Sequence, residues 1–192
     1  MNRLGWFILG IIVLAGAAFL AMTSFGTATA PVERAAARPA PSVPLPGELM
    51  IPVAGVGRSA ISDSWGDTRS EGRGHHGTDI AAPARTPVVA AAAGTIEKLF
   101  QSERGGTTLY VRSADGRWRH YYAHLAGYAA GVREGLRVQA GDRIGYVGDT
   151  GDAGAGNYHL HFGLTRVTPG QRWWEGEEIN PYPLLATGRM PE

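Results

Sequence analysis

The sequence predicts an all-β domain, a Gly-rich antiparallel β-sheet of barrel-sandwich-like type, following an amino-terminal transmembrane or signal helix. Three observations predict it. From residue 49 onward, short runs of β-forming residues alternate with Gly-rich turns. No long stretch of that region has a helical period. The chain also holds 28 glycines and 12 prolines, the residues that tight turns between short strands demand.

Composition narrows the chemistry. Net charge is +1, and residues 1–48 account for it with three arginines against two glutamates, so the remainder sums to zero. A nucleic-acid binder normally carries a basic stripe, so no nucleic-acid partner is expected. There is no cysteine, which removes thiolate metal sites, disulfides and a thiol nucleophile together. A catalytic metal would have to be held by histidine and carboxylate.

Residues 1–30 form the first segment. Leu4 to Met22 is an almost unbroken apolar run preceded by Arg3. As a helix it would be about 28 Å long, close to the hydrocarbon thickness of a bilayer. It has no polar face, so it reads as a membrane anchor rather than a core helix. Ala28-Thr29-Ala30 has the small-x-small form of a cleavage site. The length of the run and Pro31 directly after the site favour a retained anchor. The expected placement is a single pass through the cytoplasmic membrane, residues 4–22 in its lipid and the remainder on the extracytoplasmic side; secretion after cleavage is the alternative. Residues 31–48 are a Pro/Ala-rich linker, suited to an extended spacer. Residues 49–192 form the folded domain.

Within that domain, residues 50–53 read as a first strand and 61–74 as a polar loop. Residues 87–100 contain a Val/Ala-rich strand with Gly94 inside it, a bulge or a point of close contact. Strands at 107–113 and 118–125 are joined across Asp115-Gly116, a strong hairpin signal. A loop at 126–135 precedes a turn at 138–142 that leads into a strand at 143–147. Residues 148–157 form a Gly/Asp loop, 158–165 the last strand, and Leu184-Leu185 a short helical turn after Pro183.

The chemistry concentrates in that last strand, Tyr158-His159-Leu160-His161-Phe162. In a strand, alternate side chains share a face, so both imidazoles point one way, with Cα atoms about 6.5–7 Å apart. Leu160 and Phe162 point into a core. An exposed histidine pair is the alternative. A second cluster is Gly74-His75-His76-Gly77-Thr78-Asp79. In a straight strand His75 and Asp79 would lie about 13 Å apart, too far to share a metal. Joint ligation needs the backbone to bend at Gly77, which a glycine permits; otherwise the segment is a polar turn. His75, Asp79 and His161 together offer two imidazoles and a carboxylate, and catalytic zinc usually has three protein ligands. In Tyr121-Tyr122-Ala123-His124-Leu125, alternation puts Tyr122 and His124 on one face. His120 reads as structural or surface, and His76 as a non-ligand cleft wall.

His75-x-Gly77-x-Asp79, Tyr122-Ala123-His124-Leu125 and His159-Leu160-His161-Phe162, in that order, resemble the three signature motifs of the lysostaphin/LytM-type zinc metallopeptidases, family M23. The stretch Asp79-Ile80-Ala81-Ala82-Pro83, the stretch Gly141-Asp142-Arg143-Ile144-Gly145 and the ending Asn180-Pro181-Tyr182-Pro183 are also similar to that family. The resemblance spans about residues 50–185 and departs at no ligand or catalytic position. It implies zinc held by His75, Asp79 and His161, with His124 and His159 as catalytic histidines, and hydrolysis of peptidoglycan peptides by a metal-activated water. An imidazole with a pKa near 6.5 is suited to move the proton. Which of the two acts as base is open. Arg69, Asn157 and Tyr158 are candidate substrate contacts, with Arg73 beside them. The loops 61–74, 126–135 and 148–157 are expected to surround the metal.

The competing function is a non-catalytic LytM-type domain that activates cell-wall amidases; its expected mark is a missing ligand, and none is missing. A lipoyl-type carrier would need a lysine at a hairpin tip, whereas the one lysine, Lys98, falls inside a predicted strand. A glycosidase would need paired carboxylates, and Glu71, Glu103, Asp149 and Asp152 form no recognisable pair. The 148–156 loop lacks the Gly-Lys-Ser/Thr ending of a phosphate-binding loop.

Overall fold

The computed structural model describes residues 48–69 and 72–189. The apolar segment 4–22, the linker up to residue 47 and Glu71 lie outside the described residues. Among the described residues no helix is long and apolar enough to cross a membrane.

Among the described residues, nine strands form one sheet in which every pairing is antiparallel. They are β1 (Thr78–Ala81), β2 (Pro87–Val89), β3 (Gly94–Ser102), β4 (Gly106–Ser113), β5 (Trp118–Tyr128), β6 (Arg137–Val138), β7 (Arg143–Val147), β8 (His159–Arg166) and β9 (Glu177–Ile179). One short α-helix, α1 (Tyr182–Thr187), follows. It ends at Gly188, whose φ of 78° lets its N–H return to the Leu184 carbonyl at 2.7 Å. The order along the sheet is β1-β8-β5-β4-β3-β6, with β7 beside both β2 and β5, and β9 beside β8.

The hairpin expected at Asp115-Gly116 joins β4 to β5. The Asp115 carboxylate accepts the Arg117 backbone N–H at 3.0 Å, and Gly116 takes φ 73°. Other expectations need correction. Residues 50–53 make no strand, only a bridge from Val53 to Val88; Pro52 has no N–H to give a ladder. The stretch 87–100 splits into β2 and β3. Gly94 opens β3 as a point of close contact, because a Cβ there would run into the Arg112 carbonyl, and the bulge falls between Ile96 and Lys98. The short polar strands β1 and β9 have too few apolar residues to show a period in the sequence.

β5 organises the sheet. One of its edges pairs with β4 from Arg119 to Leu125. The other pairs with β8 from Trp118 to Ala123, then with β7 from Leu125 to Tyr128. The change of partner falls at His124, where the chain takes φ 59°. On one side of this sheet lies the core, in which Ile80, Tyr122, Leu125, Leu160 and Phe162 are fully buried or nearly so. Burial of one such side chain is worth about 1.5–3 kcal/mol. The Tyr122 hydroxyl is satisfied there by the Ala91 N–H at 2.9 Å.

Candidate active site

β1 and β8 pair with Asp79 directly opposite His161, so both side chains leave the sheet on the face away from the core. His75 reaches the same point because the chain bends at Gly77 just before β1. The bend was expected; the reason for the glycine differs. Its φ is not left-handed. Instead, a Cβ at this position would lie 2.5 Å from His161 Cε1 and 2.9 Å from the Phe162 carbonyl oxygen. Only a residue without a side chain lets the segment lie against the imidazole.

Three donors converge. His75 Nε2 lies 2.8 Å from His161 Nδ1, and Asp79 Oδ1 lies 3.0 Å from each of them. In a tetrahedral zinc site, ligand atoms stand about 3.3 Å apart, given metal–ligand bonds of about 2.0–2.1 Å. An opening of a few tenths of an ångström would admit the ion, so two imidazoles and one carboxylate fit a zinc centre with an open position. Burial raises the Asp79 pKa, but hydrogen bonds from His161 and His75, and their charge, outweigh it and hold the carboxyl well below the usual carboxylate range. Burial pushes His161 down, against the pull of Asp79. Both residues are thus in the unprotonated state a metal requires.

The acceptor that orients His75 is the Ser64 carbonyl, which takes the Nδ1–H at 2.6 Å and leaves Nε2 for the metal. The Ser64 hydroxyl also accepts the Asp79 backbone N–H at 3.2 Å. Nothing in the sequence singled out Ser64, because a backbone acceptor has no side-chain signature.

His124 and His159 stand beside this cluster with ring centroids 4.8 Å apart. His124 Nδ1 donates to the Thr150 carbonyl at 2.8 Å, and His159 Nδ1 to the Asn157 carbonyl at 2.8 Å. A carbonyl can only accept, so each ring carries a proton on Nδ1, and the neutral form of either ring has its lone pair on Nε2. His159 Nε2 lies 3.9 Å from Asp79 Oδ2. Burial, reinforced by the neighbouring imidazoles and opposed by the Thr150 carbonyl, pushes the His124 pKa down to about 4.

The strand alternation expected for β5 fails at this point. Tyr122 lies in the core and His124 in the cleft, so they do not share a face. Three steps on β5, from Tyr122 to Leu125, oppose two on β4, from Leu109 to Thr107. That extra residue is a bulge, and the left-handed His124 within it is turned out of the core. His120, on the core side, is fully buried.

The five residues line a single cleft of about 680 Å³. Segments 61–74 and 148–157 border it, as expected. The 126–135 loop does not; Arg104 and Gly105 of the β3–β4 turn stand there instead. β5 runs along β7 to Tyr128 and carries the following loop away. Among the candidate substrate contacts, Arg69 lies in the cleft with its guanidinium on the Asp79 carboxylate. Arg73 and Asn157 also line it, the Asn157 amide donating to the Ala153 carbonyl at 2.9 Å. Tyr158 is exposed and is not among the cleft-lining residues. His76 forms a cleft wall, stacked on Trp65 at 5.1 Å and in contact with Glu178.

Comparison with known proteins agrees with this geometry. The chain is 36% identical over 129 residues to an L-Ala–D-Glu endopeptidase of Bacillus subtilis, covering 64% of this chain and 38% of that protein. It is 38% identical over 92 residues to the glycyl-glycine endopeptidase ALE-1 of Staphylococcus capitis, covering 47% of this chain and 24% of that protein. The chain therefore matches well under half the length of these curated relatives. The catalytic domain of the antimicrobial peptidase lysostaphin from Staphylococcus simulans superposes with a TM-score of 0.55 at 30% identity, over 65% of this chain and 90% of that one. Residues 73–181, which run from just before His75 to past His161, match the profile of Peptidase family M23, and the chain belongs to that family.

Proposed function

We propose that the chain is a zinc metalloendopeptidase that hydrolyses peptide bonds of peptidoglycan. The observation that carries this reading is the convergence of His75, Asp79 and His161, with two further imidazoles presenting Nε2 to the same cleft. His75, Asp79 and His161 would hold the zinc. Bound there, the ion would supply Lewis acidity, lowering the pKa of a water towards ~7 and polarising the scissile carbonyl.

The chain's own residues supply the proton path. With Nδ1 tied to a carbonyl, His124 and His159 each have only Nε2 for transfer. One accepts the proton of the attacking water, and the amine leaving group receives a proton in turn. Burial keeps His124 neutral near pH 7, the form that accepts a proton. Once a ring has accepted a proton at Nε2, that N–H can also stabilise the oxyanion of the tetrahedral intermediate.

Substrate class follows the two relatives, whose names specify different bonds, L-Ala–D-Glu and glycyl-glycine. We assign peptidoglycan peptides rather than one bond. The apolar run 4–22 and the Pro/Ala-rich segment 31–48 support a domain tethered outside the cytoplasmic membrane.

The test is digestion of isolated sacculi by the full chain, with bound zinc measured alongside. About one zinc per chain and newly released amines are expected, and His161→Ala should lose both. Wild-type protein that holds no metal, or a His161→Ala variant that digests sacculi equally well, overturns the reading. Sacculi left intact while an added amidase is stimulated would put the activator role in its place.

A further inference from the structure

The cleft does not end at the metal cluster. A second cavity of about 450 Å³ adjoins it, and His76, Tyr121 and Glu178 line both. Such a volume accommodates a small ligand. Both cavities are built on β5 and β8. Gly163 and Thr165, two and four residues beyond His161 on β8, line the second one. At a strand rise of about 3.3 Å per residue, they lie about 7 and 13 Å from the metal-facing position.

Aromatic rings floor this cavity. Trp173 and Tyr110 have centroids 5.0 Å apart, Tyr110 and Tyr121 4.7 Å, and Tyr121 and His161 5.7 Å. A continuous run of rings thus leads from the second cavity to the metal cluster. Gly163 leaves room for it, since a Cβ there would press on the Tyr121 ring at 3.2 Å. At the rim stands Trp174, the most exposed large hydrophobic side chain among the described residues at 57%.

The segment that presents the two tryptophans is held from beneath. Arg119, only 2% exposed, donates to the carbonyls of Glu175 and Arg172, each at 2.7 Å, and to Glu97 at 2.9 Å. Arg112 bridges Glu97 at 2.6 Å and the Gln171 carbonyl at 3.2 Å. A buried guanidinium with its donors spent on loop carbonyls fixes a platform before a ligand arrives, which lowers the ordering cost of binding.

The cavity's chemistry is mixed. Ring faces are combined with Thr165, Glu175 and Glu178, while the Tyr110 and Tyr121 side chains hydrogen-bond each other. Glu97 compensates the Arg119 charge, and His76 contacts Glu178. Arg172 lies 5.1 Å over the Trp174 ring, so that face already has its cation and disfavours an ammonium group. Apolar faces edged by hydrogen-bonding groups without one dominant charge suit a neutral polyhydroxylated ring. We propose that this cavity is a saccharide subsite, which seats a sugar ring of the glycan strand while the attached peptide lies across the metal cluster, two to four residues away.

This inference rests on the peptidoglycan reading above, and its test separates the two. The full chain is given a disaccharide-peptide from peptidoglycan and, separately, the same peptide stripped of its sugars. A KM about tenfold lower for the sugar-bearing substrate, equivalent to about 1.4 kcal/mol, is expected. Trp174→Ala should bring the ratio of the two KM values to about one. Equal KM values with wild-type protein overturn the subsite and leave the peptidase reading standing. If neither substrate is cut, the peptidase reading fails, and calorimetric titration with N-acetylglucosamine tetramer decides the subsite. Saturable binding that Trp174→Ala abolishes supports it; no saturable binding overturns it.

Discussion

Strand β5 carries two histidines in contrasting surroundings four residues apart. Burial pushes the pKa of both His120 and His124 down to about 4. By that measure the two are alike. Yet His120 is sealed in the core against Phe162, with no hydrogen-bond partner for either ring nitrogen. His124 has its Nδ1–H on the Thr150 carbonyl and its ring against His159, in the cleft. A depressed histidine pKa therefore does not by itself separate a cleft histidine from a core one in this protein. The distinguishing features are an oriented tautomer and access to the cleft, and the bulge at His124 provides both.

The largest effect should come from breaking that contrast at the cleft end. His124→Ala should lower the rate of sacculus hydrolysis by about a hundred- to ten-thousandfold while zinc content, read by metal analysis, stays near one per chain. His120→Leu should leave the hydrolysis rate as in wild type. If His120→Leu proves as inactive as His124→Ala while still folded, the contrast collapses.

The core end has a signature in stability. In the unfolded chain an imidazole titrates near 6.5, and His120 in the fold near 4. Between those values the unfolded state holds more protons, so stability rises with pH. Its contribution is complete above pH 6.5 and is lost as pH falls towards 4, by up to about 3 kcal/mol. Denaturant melts of wild type and His120→Leu across pH 4–7 should show the wild type losing that much more on acidification. Parallel curves for the two would mean that His120 is solvated in the fold.

A smaller effect isolates the cleft end from the core. Gly77→Ala puts a methyl group against His161 and should weaken zinc binding by about 10- to 100-fold, as read by competition with a chelator. Unchanged affinity would show that the ring moves aside freely. The same substitution should not alter the pH dependence assigned to His120, since Gly77 touches the cleft face of β8.

Much of this was legible in the chain. Two histidines two residues apart among β-formers assigned His159 and His161 to one face and Leu160 and Phe162 to the other, because strand alternation is local. A glycine between His75 and Asp79 pointed to a bend. The antiparallel character followed from short runs, tight turns and the Asp115-Gly116 hairpin. Alternation misled at His124, where one extra residue in a bulge reverses every parity after it. Arg69 illustrates another limit: its loop position suggested a substrate contact, and only the fold shows its guanidinium on Asp79.

By itself, then, the sequence determined the donor types, two imidazoles and a carboxylate without thiolates, and the faces of β8, since both depend on residue identity and local period. Tertiary structure alone decided which carbonyls orient His75, His124 and His159, and that Asp79 stands opposite His161. It also decided that Trp173 and Trp174 border a cavity adjoining the cleft. Backbone acceptors are chemically the same at every residue, and strand register joins positions as far apart as 79 and 161. Neither leaves a local mark in the chain.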